Sequence, residues 1–227
     1  MSDLQVKVSM LILSLWLFLF LPGTLGNAAE IAEKAEKAKK EVLFSDDFDS
    51  DDLSFQWSGA RNCIRLKDGK LIVEFPGART GPAAYGTNAY LMLAESESWL
   101  NYEIETKMRM LTKGGFSSSI PHIVFRKQRD NYKHYAVSIW EGRITLSKSY
   151  GRGDIFGKTK LDPYEEHKIR VSVKNLENDT VSIAVHCDDK LEFEYLDESD
   201  PYLCGPAGLF FMNCTAQFDY LRIFKEE

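Results

Sequence analysis

Between Tyr102 and Met110 the chain alternates without a break, Tyr102, Ile104, Thr106, Met108 and Met110 against Glu103, Glu105, Lys107 and Arg109. A period of two belongs to a strand with one buried and one decorated face; a helix would place its apolar residues three and four apart. Lys113-Gly114-Gly115 breaks that strand. A second apolar run covers 120–126. After the polar turn 127–131, a third run alternates Tyr135, Val137 and Ile139 against His134, Ala136, Ser138 and Trp140. The middle of the chain is therefore expected to hold three consecutive antiparallel strands.

Further runs of the same kind recur with polar breaks between them, among them 63–66, 70–75, 85–93, 167–174, 180–186, 190–196, 208–212 and 218–224. Two breaks carry hairpin chemistry. Lys67-Asp68-Gly69-Lys70 has an Asp-Gly pair that tolerates positive φ, and Cys187-Asp188-Asp189-Lys190 is a tight polar turn. No stretch beyond Val42 shows a helical stripe. About twelve strands in two packed antiparallel sheets are expected, an all-β jelly-roll β-sandwich over 43–227.

The residues before it read differently. Lys7, the apolar run 10–21 and Pro22-Gly23 followed by Thr24-Leu25-Gly26 make a signal peptide over 1–26. The apolar run is short of the roughly twenty residues that cross a bilayer, so no stable membrane insertion is expected after cleavage. Residues 27–42 are almost wholly Ala, Glu and Lys, with Glu30–Lys34, Glu33–Lys37 and Glu36–Lys40 at favourable helical spacing. Such pairs stabilise a helix by only about 0.2–0.5 kcal/mol each. A short charged helical linker fits that segment, and a secreted or periplasmic protein fits the whole.

Twenty-eight basic against thirty-four acidic residues leave a net charge of −6, and no basic cluster tracks phosphates, which argues against nucleic acid. The four cysteines lack C-x-x-C spacing, which argues against zinc, and in an exported chain they are expected to form disulfides. Ten strand residues, roughly 33 Å, part Cys204 from Cys214, beyond the reach of a disulfide. That leaves Cys63–Cys214 with Cys187–Cys204, or Cys63–Cys204 with Cys187–Cys214. The first is preferred because 187–204 closes a short loop.

Candidate site residues follow from the alternation. With Phe125 turned inward, Arg126 points outward with His122 and Val124, and His134 and Trp140 share the outer face of the next strand. Sugars present an apolar face and a rim of hydroxyls, so their sites combine flat rings with polar groups. Glu103, Glu105, Arg126, His134 and Trp140 supply that mixture if their strands share one concave sheet. The plainer reading makes the two glutamates a solvated strand face paired with Lys107 or Arg126. No nucleophile elbow, zinc helix, phosphate loop or dinucleotide fingerprint is present. Two N-x-T sequons, at Asn178 and Asn213, and one Arg152-Gly153-Asp154 triplet carry little weight alone.

The strand sequence YEIE, the VFR strand and the DNYKHY turn resemble the concanavalin-A-like lectin/glucanase superfamily, in particular its laminin-G-like and 3-keto-disaccharide-hydrolase-like branches. LFSDDFDSDDLSFQWSGA, KDGKLIVEF and GPAGLFFMNCTAQFDYLRI resemble its opening strand, early hairpin and closing strands, so the likeness spans about residues 43–224. The resemblance implies a jelly roll hosting lectins, glycosidases or adhesion domains. In its glucanases a strand of the form E-x-D-x-x-E carries the acid and the nucleophile. Here Glu103 and Glu105 match the first two acids, while Met108 replaces the third. The resemblance also implies a structural calcium near Asp47 and Asp219, with no other cofactor required. A secreted, non-catalytic, carbohydrate-binding module with a glycan as partner is expected. A glycoside hydrolase or a protein-binding adhesion domain is the alternative.

Overall fold

The structure is a computed structural model, and it describes residues 40–226 apart from 55, 60, 75–87, 114–119, 130–132, 150–154 and 213. Fifteen strands follow one another among the described residues. They begin with β1 (Val42–Asp46), β2 (Trp57–Gly59), β3 (Ile64–Leu66), β4 (Leu71–Glu74) and β5 (Asn88–Leu93). The central group is β6 (Tyr102–Lys113), β7 (Ile120–Phe125), β8 (Tyr135–Trp140), β9 (Arg143–Lys148) and β10 (Ile155–Phe156). The last are β11 (His167–Asn175), β12 (Val181–Cys187), β13 (Lys190–Asp197), β14 (Gly208–Met212) and β15 (Cys214–Lys225).

These strands form two antiparallel sheets. One has eight strands in the order β13-β12-β11-β6-β15-β4-β3, with β1 added to the far half of β15. The other has seven, in the order β10-β9-β8-β7-β14-β5-β2. The only helices among the described residues are short 3-10 turns. The expected all-β jelly-roll sandwich is what the chain builds.

Alternation explains the core. On β11 and β12, Ile169, Val171 and Val173 face inward beside Val181, Ile183 and Val185, all fully buried, while Lys168, Arg170 and Ser172 face out. On β6 the inward set is Tyr102, Ile104, Met108 and Met110. β-Branched and aromatic side chains suit such a pleated, half-buried surface, and burying each contributes about 1.5–3 kcal/mol. Both sequence-read hairpins close with two left-handed residues, Asp68 (φ 54°) with Gly69 (φ 65°) and Asp188 (φ 50°) with Asp189 (φ 64°). That conformation matches the twist of the strands on either side.

Three expectations are corrected. First, the three central strands are not neighbours. β6 lies between β11 and β15 in the eight-stranded sheet, whereas β7 and β8 pair with each other in the seven-stranded one. A period of two assigns a strand its faces and is silent on which sheet receives it.

Second, no disulfide joins any of the four cysteines. Cys63 immediately precedes β3 and Cys214 opens β15, with β4 between those strands. Two strand spacings are about 10 Å, beyond a disulfide's reach of about 7 Å. Cys187 pairs with Ile169 near the start of β11, whereas Leu203, beside Cys204, accepts a hydrogen bond from Asn175 at its end. Six residues of strand, about 20 Å, keep Cys187 and Cys204 apart. Cys187–Cys214 fails too, with β11 and β6 in between.

Third, Arg126 does not continue the outward face of β7. Its backbone turns left-handed (φ 52°), and the side chain is wholly buried. The signal peptide, most of the charged linker, the Arg152-Gly153-Asp154 triplet and Asn213 lie outside the described residues. Among the described residues no helix is long and apolar enough to cross a membrane.

Candidate functional site

The outer face of the seven-stranded sheet is unlike an ordinary solvated face. Following the registers across it, Tyr90 sits opposite Phe210, Phe210 opposite His122, His122 opposite Ser138, Ser138 opposite Thr145, and Thr145 opposite Phe156. One transverse row thus crosses β5, β14, β7, β8, β9 and β10, a span of about 24 Å at the usual strand spacing. Rings occupy both ends, and two hydroxyl side chains fill the middle.

At one end Tyr90 and Phe210 pack with ring centroids 4.5 Å apart, and His122 lies 5.2 Å from Phe210. His134 meets the same pair, 6.1 Å from Tyr90 and 6.2 Å from Phe210. Lys127 Nζ stands 5.0 Å above the Tyr90 ring. At the other end Trp140 stacks on Phe156 at 5.9 Å and 30°. Phe156 is 42% exposed, whereas Phe210, Ser138 and Thr145 are buried. The floor is therefore recessed, and Val124, Ala136 and Phe210 form a small apolar cluster on it, separate from the main core.

Polar atoms on this floor stand without partners. Neither Nδ1 nor Nε2 of buried His122 has a hydrogen-bond partner, and the same holds for Trp140 Nε1. A buried polar group left unpaired costs about 1–3 kcal/mol, so such groups in a recess are poised to meet a ligand's hydroxyls. Burial, with His134 close by, lowers the pKa of His122 to about 3. Burial and then Lys127 lower His134 to about 4. Both rings are thus neutral at physiological pH, each with one donor and one acceptor nitrogen.

The five residues picked from the sequence are not brought together. His134 and Trp140 do lie on the recessed face, His134 just before β8 and Trp140 at its end, roughly 20 Å apart. Glu103 and Glu105 lie on the outer face of the other sheet, across the whole sandwich, because β6 belongs to the eight-stranded sheet. Both are buried rather than solvated. Arg170 Nε approaches Glu103 at 3.8 Å, and the Tyr220 hydroxyl donates to Glu105 at 3.1 Å. Lys107 turns instead to Glu166 at 3.8 Å. Met108, in the place of the third acid, is buried in the core.

Arg126 serves the scaffold. Its Nη1 donates to the Tyr202 carbonyl at 2.9 Å and its Nη2 to the Leu100 carbonyl at 2.5 Å, tying the segment before β14 to the entry of β6. Gly205 (φ +135°) lets that segment pass close by, since a Cβ there would fall 2.6 Å from the Lys127 carbonyl.

The two acids expected near calcium are each engaged by a cation. Asp47 Oδ1 accepts from Arg222 at 2.8 Å, and Asp219 pairs with Lys70. The structural acid of the opening strand is Asp46. It accepts from Trp57 Nε1 at 2.8 Å and from the Phe48 amide at 2.9 Å.

Missed by sequence reasoning were His122 as an unpaired group, Tyr90, Phe210 and Phe156. His122 lies on a face that alternation marks as outward, whereas Tyr90 and Phe210 sit in continuous apolar runs and Phe156 in a two-residue strand, so only the register aligns the four in one row.

No family model and no curated protein matches the chain. Solved structures do. The carbohydrate-binding module CBM66 from Bacillus subtilis superposes with a TM-score of 0.51 at 15% identity, covering 72% of this chain and 91% of that one. A β-glucanase from Bacillus licheniformis gives 0.59 at 10% identity, covering 83% and 100%. The Emp47p carbohydrate recognition domain gives 0.56 at 11%, covering 82% and 98%. At such identities the likeness speaks for the fold and leaves the chemistry to the residues. Superposition over most of both chains gives this chain the two-sheet jelly-roll fold of these structures.

Proposed function

We propose that the protein is a carbohydrate-binding module that holds an extended glycan along the recessed face of the seven-stranded sheet, without turning it over. The observation that carries this reading is the transverse row from Tyr90 to Phe156, with rings at both ends and the unpaired nitrogens of His122 between them. Rings stack on the apolar faces of sugar units, and neutral imidazole and hydroxyl groups exchange hydrogen bonds with the hydroxyl rim. The fold is shared with a carbohydrate-binding module and a carbohydrate recognition domain, which supports the reading without deciding it. The two carboxylates weighed for glycosidase chemistry are not on this face. Glu103 and Glu105 sit on the other sheet.

Screening the full chain against a glycan array, followed by calorimetry on each hit, tests the proposal. Binding to an oligosaccharide, weakened at least tenfold by His122→Phe with folding intact, supports it. An array without hits, or hits indifferent to His122, sinks it.

A further inference from the structure

At the end of the eight-stranded sheet three side chains converge that the glycan reading does not use. Ile169 faces Cys187 in the β11–β12 ladder, so His167, two residues earlier on the same inner face, is the diagonal neighbour of Cys187. Asp188 begins the turn after β12 and is clamped back over β11. Its amide donates to the Lys168 carbonyl at 2.9 Å, and its Oδ1 accepts from the Lys168 amide at 2.9 Å. That clamp aims Oδ2 at the imidazole, 2.8 Å from His167 Nδ1. Cys187 Sγ lies 3.8 Å from the same oxygen, and the three donor atoms all lie within 4.8 Å of one another.

The second ring nitrogen decides what stands between them. His167 Nε2 is 2.9 Å from the carbonyl oxygen of Asp162, an atom that only accepts, so Nε2 carries the hydrogen. In the neutral ring Nδ1 then turns a lone pair towards a carboxylate oxygen. Two acceptors at that distance require a positive species between them, either a proton or a metal ion. An imidazole whose far N–H is fixed by a backbone carbonyl is how metal-binding histidines are commonly oriented. A tetrahedral ion with bonds of about 2.0–2.3 Å separates its donor atoms by roughly 3.3–3.6 Å, so Nδ1 and Oδ2, 2.8 Å apart, would spread on binding, while Sγ, 3.8 Å from Oδ2, would close slightly.

We propose that His167 Nδ1, Cys187 Sγ and an Asp188 carboxylate oxygen form a site for a zinc-class divalent ion. The donor set mixes nitrogen, sulfur and oxygen, which suits zinc or cobalt and not calcium or magnesium, whose ligands are oxygens. His167 and Cys187 are buried, while the Asp188 side chain is 48% exposed, so water reaches the fourth position. On binding, the Cys187 S–H bond breaks and the proton held between His167 Nδ1 and Asp188 Oδ2 is displaced; both protons leave to solvent, and the thiolate sulfur, the freed Nδ1 and the carboxylate oxygen bond the ion. The ion would pin the β12–β13 turn to the start of β11, independently of the glycan face.

Cobalt(II) added to the reduced full chain is the direct probe. A thiolate-to-cobalt charge-transfer band in the near ultraviolet, erased by competing zinc and accompanied by a zinc-dependent rise in melting temperature, is expected. Cys187→Ser should remove the band, and Cys204→Ser, which alters the exposed thiol, should leave it. Asp188→Asn, a half-exposed change compatible with folding, should keep the band and weaken zinc at least tenfold. No band and no melting shift in the wild type would mean a plain imidazolium–carboxylate pair and overturn the site. A band that survives Cys187→Ser, or an affinity unmoved by Asp188→Asn, would overturn it as well.

Discussion

The Tyr135 hydroxyl on β8 donates a hydrogen bond to the Asp197 carboxylate on β13, a polar contact that ties the seven-stranded sheet to the eight-stranded one. The same carboxylate, wholly buried, holds Lys148 Nζ at 2.7 Å, and the Tyr135 oxygen accepts from the Tyr202 amide at 3.1 Å. Burial first, and then the Asp197 hydrogen bond, push the Tyr135 phenol far above its ordinary pKa, which keeps the proton in place for donation. Tyr135→Phe should therefore lower stability by about 1–3 kcal/mol, because it leaves a buried amide and part of a carboxylate unpaired. Urea unfolding of the two proteins measures this, and coincident midpoints would contradict the contact's role.

Arg126 is expected to behave as a structural residue rather than a ligand contact. Arg126→Ala removes two charge-assisted bonds, one to the carbonyl of buried Tyr202 and one to the carbonyl of exposed Leu100, at a cost of about 3 kcal/mol. A variant that unfolds at clearly lower denaturant, yet binds glycan normally where folded, fits this account. Full stability with lost binding would return Arg126 to the site.

The thiols offer a check on the cysteine correction. Denatured without reductant, the chain should titrate four thiols, since no disulfide joins them. In the native protein the exposed Cys204 should react at once, while Cys187 and Cys214 wait for unfolding. Burial pushes each of those two up to about 12, which suppresses the reactive thiolate further. Two thiols or fewer in denaturant would show that the chain cross-links after all.

What the sequence made legible and what it hid divide along one physical line. Alternation is a local property, so it correctly turned Tyr135, Val137 and Ile139 inward and His134 and Trp140 outward, and Asp-Gly chemistry located the β3–β4 turn. Sheet membership is non-local. β6 reads the same whether it lies beside β7 or between β11 and β15, and with that choice went the supposed grouping of Glu103 and Glu105 with Trp140. Arg126 failed for a different reason, because one left-handed residue ends the alternation just where it was extrapolated. The convergence of His167 on Cys187 was equally hidden, since it depends on the register between strands and not on any spacing motif.

The buried histidines should make stability fall in mild acid. In the unfolded chain both protonate near pH 6.5, whereas burial holds His122 at about 3 and His134 at about 4 in the folded state. Between those values the unfolded chain binds protons that the folded chain refuses, so stability drops as pH falls below about 6.5 and is unaffected by these groups above about 7. The slope is about 1.4 kcal/mol per pH unit for each histidine. Carboxylates add their own acid sensitivity, so the informative quantity is the difference between wild type and His122→Phe. From pH 6.5 to 5 the variant should lose about 2 kcal/mol less than the wild type. Equal losses would mean that His122 takes up its proton in the folded state.

The opposing faces of the sandwich allow binding and catalysis to be told apart. Trp140→Ala and Phe156→Ala each remove one ring of the stacked pair at the exposed end of the row. Each should weaken glycan affinity by about 1–3 kcal/mol, the scale of a lost aromatic surface, with little change in stability. Glu103→Gln and Glu105→Gln alter the outer face of the other sheet and should leave glycan affinity unchanged, since the whole core lies between. If the protein were a hydrolase working through these acids, one of the two changes would spare binding and cut turnover about a hundredfold or more, the scale of general acid–base catalysis. Measured turnover with that dependence would replace the binding module with an enzyme. Glycan affinity that falls with Glu105→Gln and ignores Trp140→Ala would move the site to the eight-stranded sheet, where Glu105, Tyr220 and Arg170 already stand together.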